Sequence, residues 1–159
     1  MSKPTQKKQV ANNRKALRDF HIEQRFEAGI ELKGTEVKSI RAGKVNIVDT
    51  FARVDNGQLF LYGLHIQPWE TASAWFNHGE KRPRRLLMHK KEILKLDQLT
   101  SIKGYTLVCL SIYWKERHVK IELGLGKGKS TVDQRHDLKK KVELMEAKRE
   151  MARFNKGGR

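Results

Sequence analysis

Two kinds of sequence meet at Gly126. Before it, Val119, Ile121, Leu123 and Leu125 alternate with Lys120, Glu122 and Gly124, the period-two pattern of a strand with one buried face. After it, Gly126-Lys-Gly-Lys129 has the flexibility and charge of a linker, and residues 133–154 are rich in Lys, Arg and Glu. Leu138, Val142 and Met145 make only a narrow apolar stripe there, with modest helical support from Asp137 ahead of Lys140 and Lys141. A lone helix this polar is marginal in water. The hydrophobic core must therefore be built before the break, and the tail is expected to be disordered in the free protein.

The segment before the break reads as many short strands with a few helices. Residues 1–15 are polar and basic and are expected to form a flexible arm. Phe20 and Ile22 begin an alternation that slips before Phe26, which predicts a strand with a bulge or bend near Glu27-Ala-Gly29. Thr35 is positioned to cap a short helix carrying Val37 and Ile40 on one face, ended by Gly43. Strands are expected over Val45–Val54 and Gln58–Ile66, joined at Asp55-Asn56-Gly57, a strong hairpin signal. Pro68 to Arg84 looks like loop, and Ile93, Leu96 and Leu99 mark an amphipathic helix over His89–Leu99. Tyr105–Trp114 and His118–Leu125 form a second hairpin pattern. The expected fold class is mainly β: a small antiparallel OB-like barrel over residues 16–126, flanking short helices, and a basic tail over 127–159.

Charge narrows the function. Lys and Arg number 34 against 18 Asp and Glu, a formal net charge of +16. Self-repulsion of that size points to a polyanionic partner, and nucleic acid comes first because each neutralised phosphate releases counterions. A membrane surface is the weaker choice, since the candidate amphipathic helix has a thin apolar face. The N-terminus has no apolar h-region and the single cysteine, Cys109, allows no intramolecular disulfide, so a cytoplasmic protein is expected.

Several residues invite a chemical role. Lys81, Arg82, Arg84 and Arg85 surround Pro83, a stiffened loop whose forks suit phosphate. Trp69, Trp75 and Phe76 could stack on unpaired bases or close one end of the barrel, with packing the commoner fate of any one aromatic. Glu27, near Gly29, could accept from a base amino group or sit in a surface salt bridge. An enzyme acting on RNA through Cys109 or His118 is disfavoured, because Cys109 lies in the apolar run T-L-V-C-L-S-I. The 6 histidines show no metal-ligand spacing, and the Gly-Lys run lacks the P-loop pattern. No cofactor or metal is expected. A ribosomal structural protein would also be small, basic and tailed.

The stretches N-N-R-K-A at 12–16, F-E-A-G-I-E-L at 26–32, G-T-E-V-K-S-I-R-A-G-K at 34–44, R-R-L-L-M-H-K-K-E-I at 84–93 and G-L-G-K-G-K at 124–129 occur in this order. Together they resemble the small protein B family, the tmRNA (SsrA RNA)-binding proteins of bacterial trans-translation. The resemblance implies an oligonucleotide-binding barrel that holds the tRNA-like domain of tmRNA and stands in for its missing anticodon arm. It implies a tail that becomes helical on a stalled ribosome, probing small-subunit rRNA at the decoding centre and the empty mRNA channel. Elongation factor Tu and alanyl-tRNA synthetase would act through tmRNA, leaving this chain a non-enzymatic adaptor. By position, Asn13, Glu27, Leu87 and His89 fall at tmRNA-binding places, and Lys38, Ser39, Arg41, Gly43 and Lys44 in the segment similar to the D-loop contact. Lys15, Arg84 and Arg85 join this expected RNA-binding set. Lys127, Gly128, Lys129, Asp133, Gln134 and Arg135 match the ribosome-engaging part of the tail. His89 stands where the family often has Asn, Gln134 where it often has Lys, and Val132 where it often has an aromatic or His.

Overall fold

The computed structural model describes residues 7–157; residues 1–6 of the expected arm and 158–159 of the tail lie outside that range. In chain order the elements are β1 (Lys7–Asn12), α1 (Arg14–Asp19), β2 (Phe20–Ile30), α2 (Gly34–Arg41), β3 (Val45–Asn46), β4 (Phe51–Asp55), β5 (Gln58–Tyr62), β6 (His65–Ile66), β7 (Arg84–Leu87), α3 (Lys90–Ser101), β8 (Tyr105–Lys115), β9 (His118–Gly128) and α4 (Thr131–Lys156). They fall into two compact units, Met1–Gly128 and Lys129–Arg159.

The first unit is an antiparallel barrel. The ring runs β8-β4-β5-β7-β2-β9, and β8 closes it by pairing with β9 as well as β4. The 11-residue β8 offers one edge to two partners: Leu107 and Val108 pair with β4, while Ser111 to Lys115 pair with β1. β3 and β6 form a separate two-stranded sheet. The alternation read before Gly126 places Ile121, Leu123 and Leu125 in the core with Leu59, Leu61, Leu107 and Ile112, all essentially without exposure. The β4–β5 hairpin turns on Asn56 and Gly57, both at positive φ, the backbone that matches the twist of the flanking strands.

Several expectations change. Residues 7–12 of the predicted flexible arm are a strand on the β8 edge. Asn13 then fastens the chain: its amide donates to the carbonyls of Ile47 (3.2 Å) and Cys109 (3.0 Å), and its Oδ1 accepts from Ala16 N at the start of α1. The bulge lies between Ile22 and Gln24, not at Glu27-Ala-Gly29. A Cβ on Gly126 would stand 2.3 Å from the His21 carbonyl oxygen, so the close approach of β9 to β2 beside that bulge requires glycine. β9 also continues to Gly128, where it pairs with Phe20, three residues past the end of the alternation at Leu125. Lys127 and Gly128, expected in the tail, are therefore part of the barrel. The two long strands expected over 45–54 and 58–66 are each broken into a pair. Thr35 lies inside α2 and not at its cap; the Glu36 carboxylate receives the Lys33 backbone N–H instead.

The largest departure is at Arg84. It is fully buried, and all five of its donors are used. Nε donates to Glu36 Oε1 (3.1 Å), Nη1 to the carbonyls of Leu64 (2.7 Å) and Arg82 (3.1 Å), and Nη2 to those of Gly79 and Glu80 (3.3 Å each). Arg82 grips the equally buried Glu36 through Nε (2.6 Å) and Nη2 (2.8 Å). These two arginines, read from sequence as phosphate ligands, belong to the scaffold.

The second unit is α4, with no buried residue. The segment expected to order only on RNA is a helix from its first turn, and the local cause is a capping box. Ser130 Oγ accepts from Asp133 N (3.2 Å) while the Asp133 carboxylate accepts from Ser130 N (3.3 Å).

Burial pushes the Glu36 carboxyl up, but hydrogen bonds from Arg82 and the Lys33 backbone and the charge of Arg84 outweigh it and hold the group below its usual range. Its contribution to stability is therefore present above the unfolded carboxylate pKa and lost as pH falls through the depressed folded value. Glu36→Gln is expected to cost about 3–5 kcal/mol, because it strands a buried guanidinium, and to flatten the acid limb of stability against pH. Urea unfolding at several pH values checks both; an unchanged acid limb would remove Glu36 from this role. Cys109 is fully buried and burial pushes its thiol up to about 12. Cys109→Val is expected to lose less than about 1.5 kcal/mol, measured by urea unfolding.

Candidate nucleic-acid interface

On β2, Glu27 lies directly opposite Glu122 of β9, an arrangement that repels unless each charge is matched. Glu122 is matched by Arg25 Nη1 (3.3 Å) and Ser111 Oγ (3.0 Å). Glu27 accepts from the Tyr113 hydroxyl and from Lys115 Nζ (3.0 Å), with Lys7 Nζ at 3.8 Å. The Tyr113 hydrogen bond first, then the lysines, hold the Glu27 carboxyl below its usual range against partial burial. Burial and the adjacent carboxylate raise the Tyr113 phenol, so Tyr113 stays a donor. Glu27 is thus an oriented acceptor at the surface with cations on its β1 and β8 sides.

Leu87 joins this patch through strand parity. Glu27 and Gly29 share a face of β2, Gly29 pairs with Leu87 on β7, and a Cβ at Gly29 would stand 3.3 Å from the Leu87 Cβ. Leu87 covers the glycine yet stays half exposed. Two residues on, the exposed His89 caps α3 without a side-chain cap bond. Arg85 also faces outward, paired with Phe60 of β5. Phe60 adjoins a cluster in which Phe51 stacks on Tyr62 (5.5 Å), Arg53 lies over the Tyr62 ring (4.9 Å) and Asp55 binds both Arg53 and Tyr62.

The C-terminal end of α2 supplies a second group of cations. Lys38 and Arg41 are exposed, and the Arg41 guanidinium lies 5.5 Å over the ring of Trp114, which by strand alternation faces away from Tyr113 and Lys115 and packs against the core. Gly43 is exposed in the turn after the helix, at positive φ. Lys44 lies 5.9 Å over Trp69 and pairs with Glu70. Lys15 is exposed and paired with Asp49 at 2.9 Å, whose carboxylate raises its pKa.

Three residues expected to touch RNA are placed otherwise. Asn13 and Ser39 are buried, Ser39 donating to the Gln67 carbonyl (2.7 Å), and Arg84 is sealed against Glu36. They shape the surface from beneath. Sequence reasoning missed Lys7, Tyr113, Trp114 and Lys115. Their only signal was the polar end of a strand, and no spacing rule joins residue 27 to residues 113–115. In the second unit Lys129 pairs with Asp137, and Asp133 is engaged in the helix cap, with Gln134 and Arg135 following in the first turns.

The arrangement suits binding, with forks and ammonium groups for phosphate and oriented acceptors for base edges. Among the described residues no group of three His, Cys, Asp or Glu side chains could hold a metal ion, and no helix is long and apolar enough to cross a membrane. Cys109 pairs with Leu123 while His118 pairs with Lys115, at different places along the β8–β9 ladder, so they form no nucleophile–base pair.

Comparison with known proteins agrees with this picture. Residues 10–153 match the family model described as SmpB protein. The SsrA-binding protein of Carboxydothermus hydrogenoformans is 56% identical over 132 residues, covering 83% of this chain and 88% of that protein. The SsrA-binding protein of Bacillus subtilis is 50% identical over 146 residues, covering 92% and 90%. A solved structure described as "tmRNA-SmpB: a journey to the center of the bacterial ribosome" is 48% identical with a TM-score of 0.64, covering 76% of this chain and 85% of that one. A family match spanning nearly all of the barrel and most of the tail, with relatives half identical over most of their length, places this chain in the SmpB family.

Proposed function

We propose that this chain is a tmRNA-binding adaptor of trans-translation that works on the ribosome. The observation that carries the reading is the outer patch of Glu27, Leu87, Tyr113 and Lys115, in a chain of net charge +16 that also exposes Lys38 and Arg41 at the end of α2. It is supported by relatives named for SsrA binding and by the likeness to a tmRNA–SmpB ribosome structure. The barrel holds the tRNA-like domain: Lys38, Arg41, Lys44 and Arg85 take phosphates, Glu27 takes base or ribose donors, and Leu87 and His89 complete the contact. Held this way, the barrel takes the place of an anticodon arm. Chemistry stays with alanyl-tRNA synthetase and elongation factor Tu, which meet the complex through tmRNA in the cytoplasm. The buried thiol of Cys109 fits a binding role better than a catalytic one.

The tail is assigned to the ribosome. α4 buries no residue and leaves Leu138, Val142 and Met145 about half exposed. A helix so bare lacks the apolar contact that usually stabilises one. Walls of rRNA, in the decoding centre and the empty mRNA channel, would supply phosphates for Lys129, Arg135, Lys139, Lys140 and Lys141.

Two experiments test this assignment. Arg41→Ala is expected to weaken tmRNA binding and lower the salt slope by about 1, as loss of one phosphate contact requires. Glu27→Ala is expected to weaken binding without lowering the slope, since a carboxylate releases no phosphate counterion. Filter binding across a salt series reads both, and wild-type affinity in a folded Glu27→Ala protein would reject the patch. Truncation after Gly128 keeps every β9 pair and is expected to retain tmRNA affinity while abolishing tagging on ribosomes that hold a truncated message. Full tagging by the truncated chain would defeat the tail assignment.

A further inference from the structure

Building on that reading, we infer that Trp75 and Phe76 form a stacking platform for unpaired nucleobases of the same RNA that the barrel binds. Trp75 is 95% exposed and Phe76 80%, the only large apolar side chains left bare in the segment between β6 and β7. Exposure of two adjacent rings costs hydration free energy that burial would recover.

The segment that carries them is fastened. The Asn77 side chain accepts from Trp69 N (3.1 Å) and donates to Trp69 O (3.0 Å), closing the segment on itself. Ser73 O accepts from both Phe76 N (3.0 Å) and Asn77 N (3.1 Å). The buried His78 donates through Nε2 to Ile66 O (3.0 Å), and its Nδ1 accepts from Thr35 Oγ1 of α2 (2.9 Å). Rings presented on so constrained a backbone lose little conformational entropy when a partner covers them. Trp69, the third aromatic of the segment, is half-buried and lies under Lys44. It serves as an anchor, which leaves Trp75 and Phe76 as the free pair.

Size and charge choose the partner. Two rings bury about 300–500 Å², short of the roughly 800 Å² per partner that a stable protein interface takes, but ample for one or two bases. The acids nearby are already engaged: Glu70 by Lys44, Glu80 by His65, Glu36 by Arg82 and Arg84. Lys81 has no carboxylate partner among the described residues, and the whole chain carries a net charge of +16, so a polyanion is the favoured partner. The segment that carries the platform is also linked to the helix and turn bearing the cations assigned to RNA, since Lys44 lies 5.9 Å over Trp69 and Thr35 of α2 hydrogen-bonds His78. Base stacking on aromatic side chains is sequence-tolerant and worth about 1–3 kcal/mol per base.

The test uses the full-length chain and purified tmRNA. Trp75→Ala/Phe76→Ala is expected to reduce affinity about fivefold to a hundredfold, the stacking of one base converted to a ratio, with an unchanged salt slope and an unchanged circular dichroism spectrum. Trp75→Phe is expected to recover most of the affinity, while the fluorescence quenching seen when tmRNA is added to the wild-type protein should shrink in that variant by the share due to Trp75. Wild-type affinity in the double variant overturns the inference while leaving the proposed function standing. A fallen salt slope overturns stacking in favour of a lost phosphate contact. Intact tmRNA affinity with impaired tagging overturns it in favour of a contact on the ribosome. Failure of the wild-type chain to bind tmRNA would reject the proposed function itself, and the platform with it.

Discussion

The carboxylate of Glu36 is removed from water entirely, and an ion so placed must be met by charge and hydrogen bonds. Arg82 and Arg84 meet it, and the Lys33 N–H completes the set. Through these bonds one side chain of α2 is tied to the start of β7, and Arg84 carries the tie onward to the carbonyls of Leu64, Gly79 and Glu80. The helix that bears Lys38 and Arg41 is thereby held against the barrel by a polar junction. A wholly apolar junction could be as stable, but the planar fork of Arg84 fixes direction as well as contact.

The same economy governs the surface. Acidic side chains on the first unit are mostly spent on nearby partners: Glu122 on Arg25 and Ser111, Asp49 on Lys15, Asp55 on Arg53 and Tyr62. The basic excess is left to face solvent. Arg41 rests on Trp114, which restrains its long side chain without neutralising it, whereas Lys44, over Trp69, is also paired with Glu70. Glu27 is likewise engaged, by Tyr113, Lys115 and Lys7, partners that orient its carboxylate at the surface. An oriented acceptor beside cations is what recognition of a folded RNA requires, since phosphate contacts set position and base contacts set identity.

The two units divide the physical work. The barrel closes on itself, with β8 shared among β9, β4 and β1. α4 satisfies its backbone by being a helix, but it has no core to bury. Its apolar stripe and basic faces are suited to a surface supplied from outside.

The sequence by itself determined the elements whose cause is local: the Asn56-Gly57 turn, the alternation through β9, the apolar spacing of α3, and the loss of core-forming residues near Gly126. It also carried the family, through stretches long and ordered enough to be specific. It did not determine which polar residues face water. In R-R-L-L at 84–87, each face of the strand receives one arginine and one leucine, so alternation holds no parity signal, and Arg84 turns in while Arg85 turns out. The parity was decided by Glu36, 48 residues earlier. Asn13, placed by the resemblance among the RNA-binding residues, is buried because the closed barrel brings the carbonyls of Ile47 and Cys109 within its reach. The patch at Glu27 is assembled across 86 and 88 residues of chain, from Tyr113 and Lys115. Local pattern encodes backbone geometry because turns and periodicity act over a few residues. The burial of a charge depends on a partner that only the closed barrel brings near.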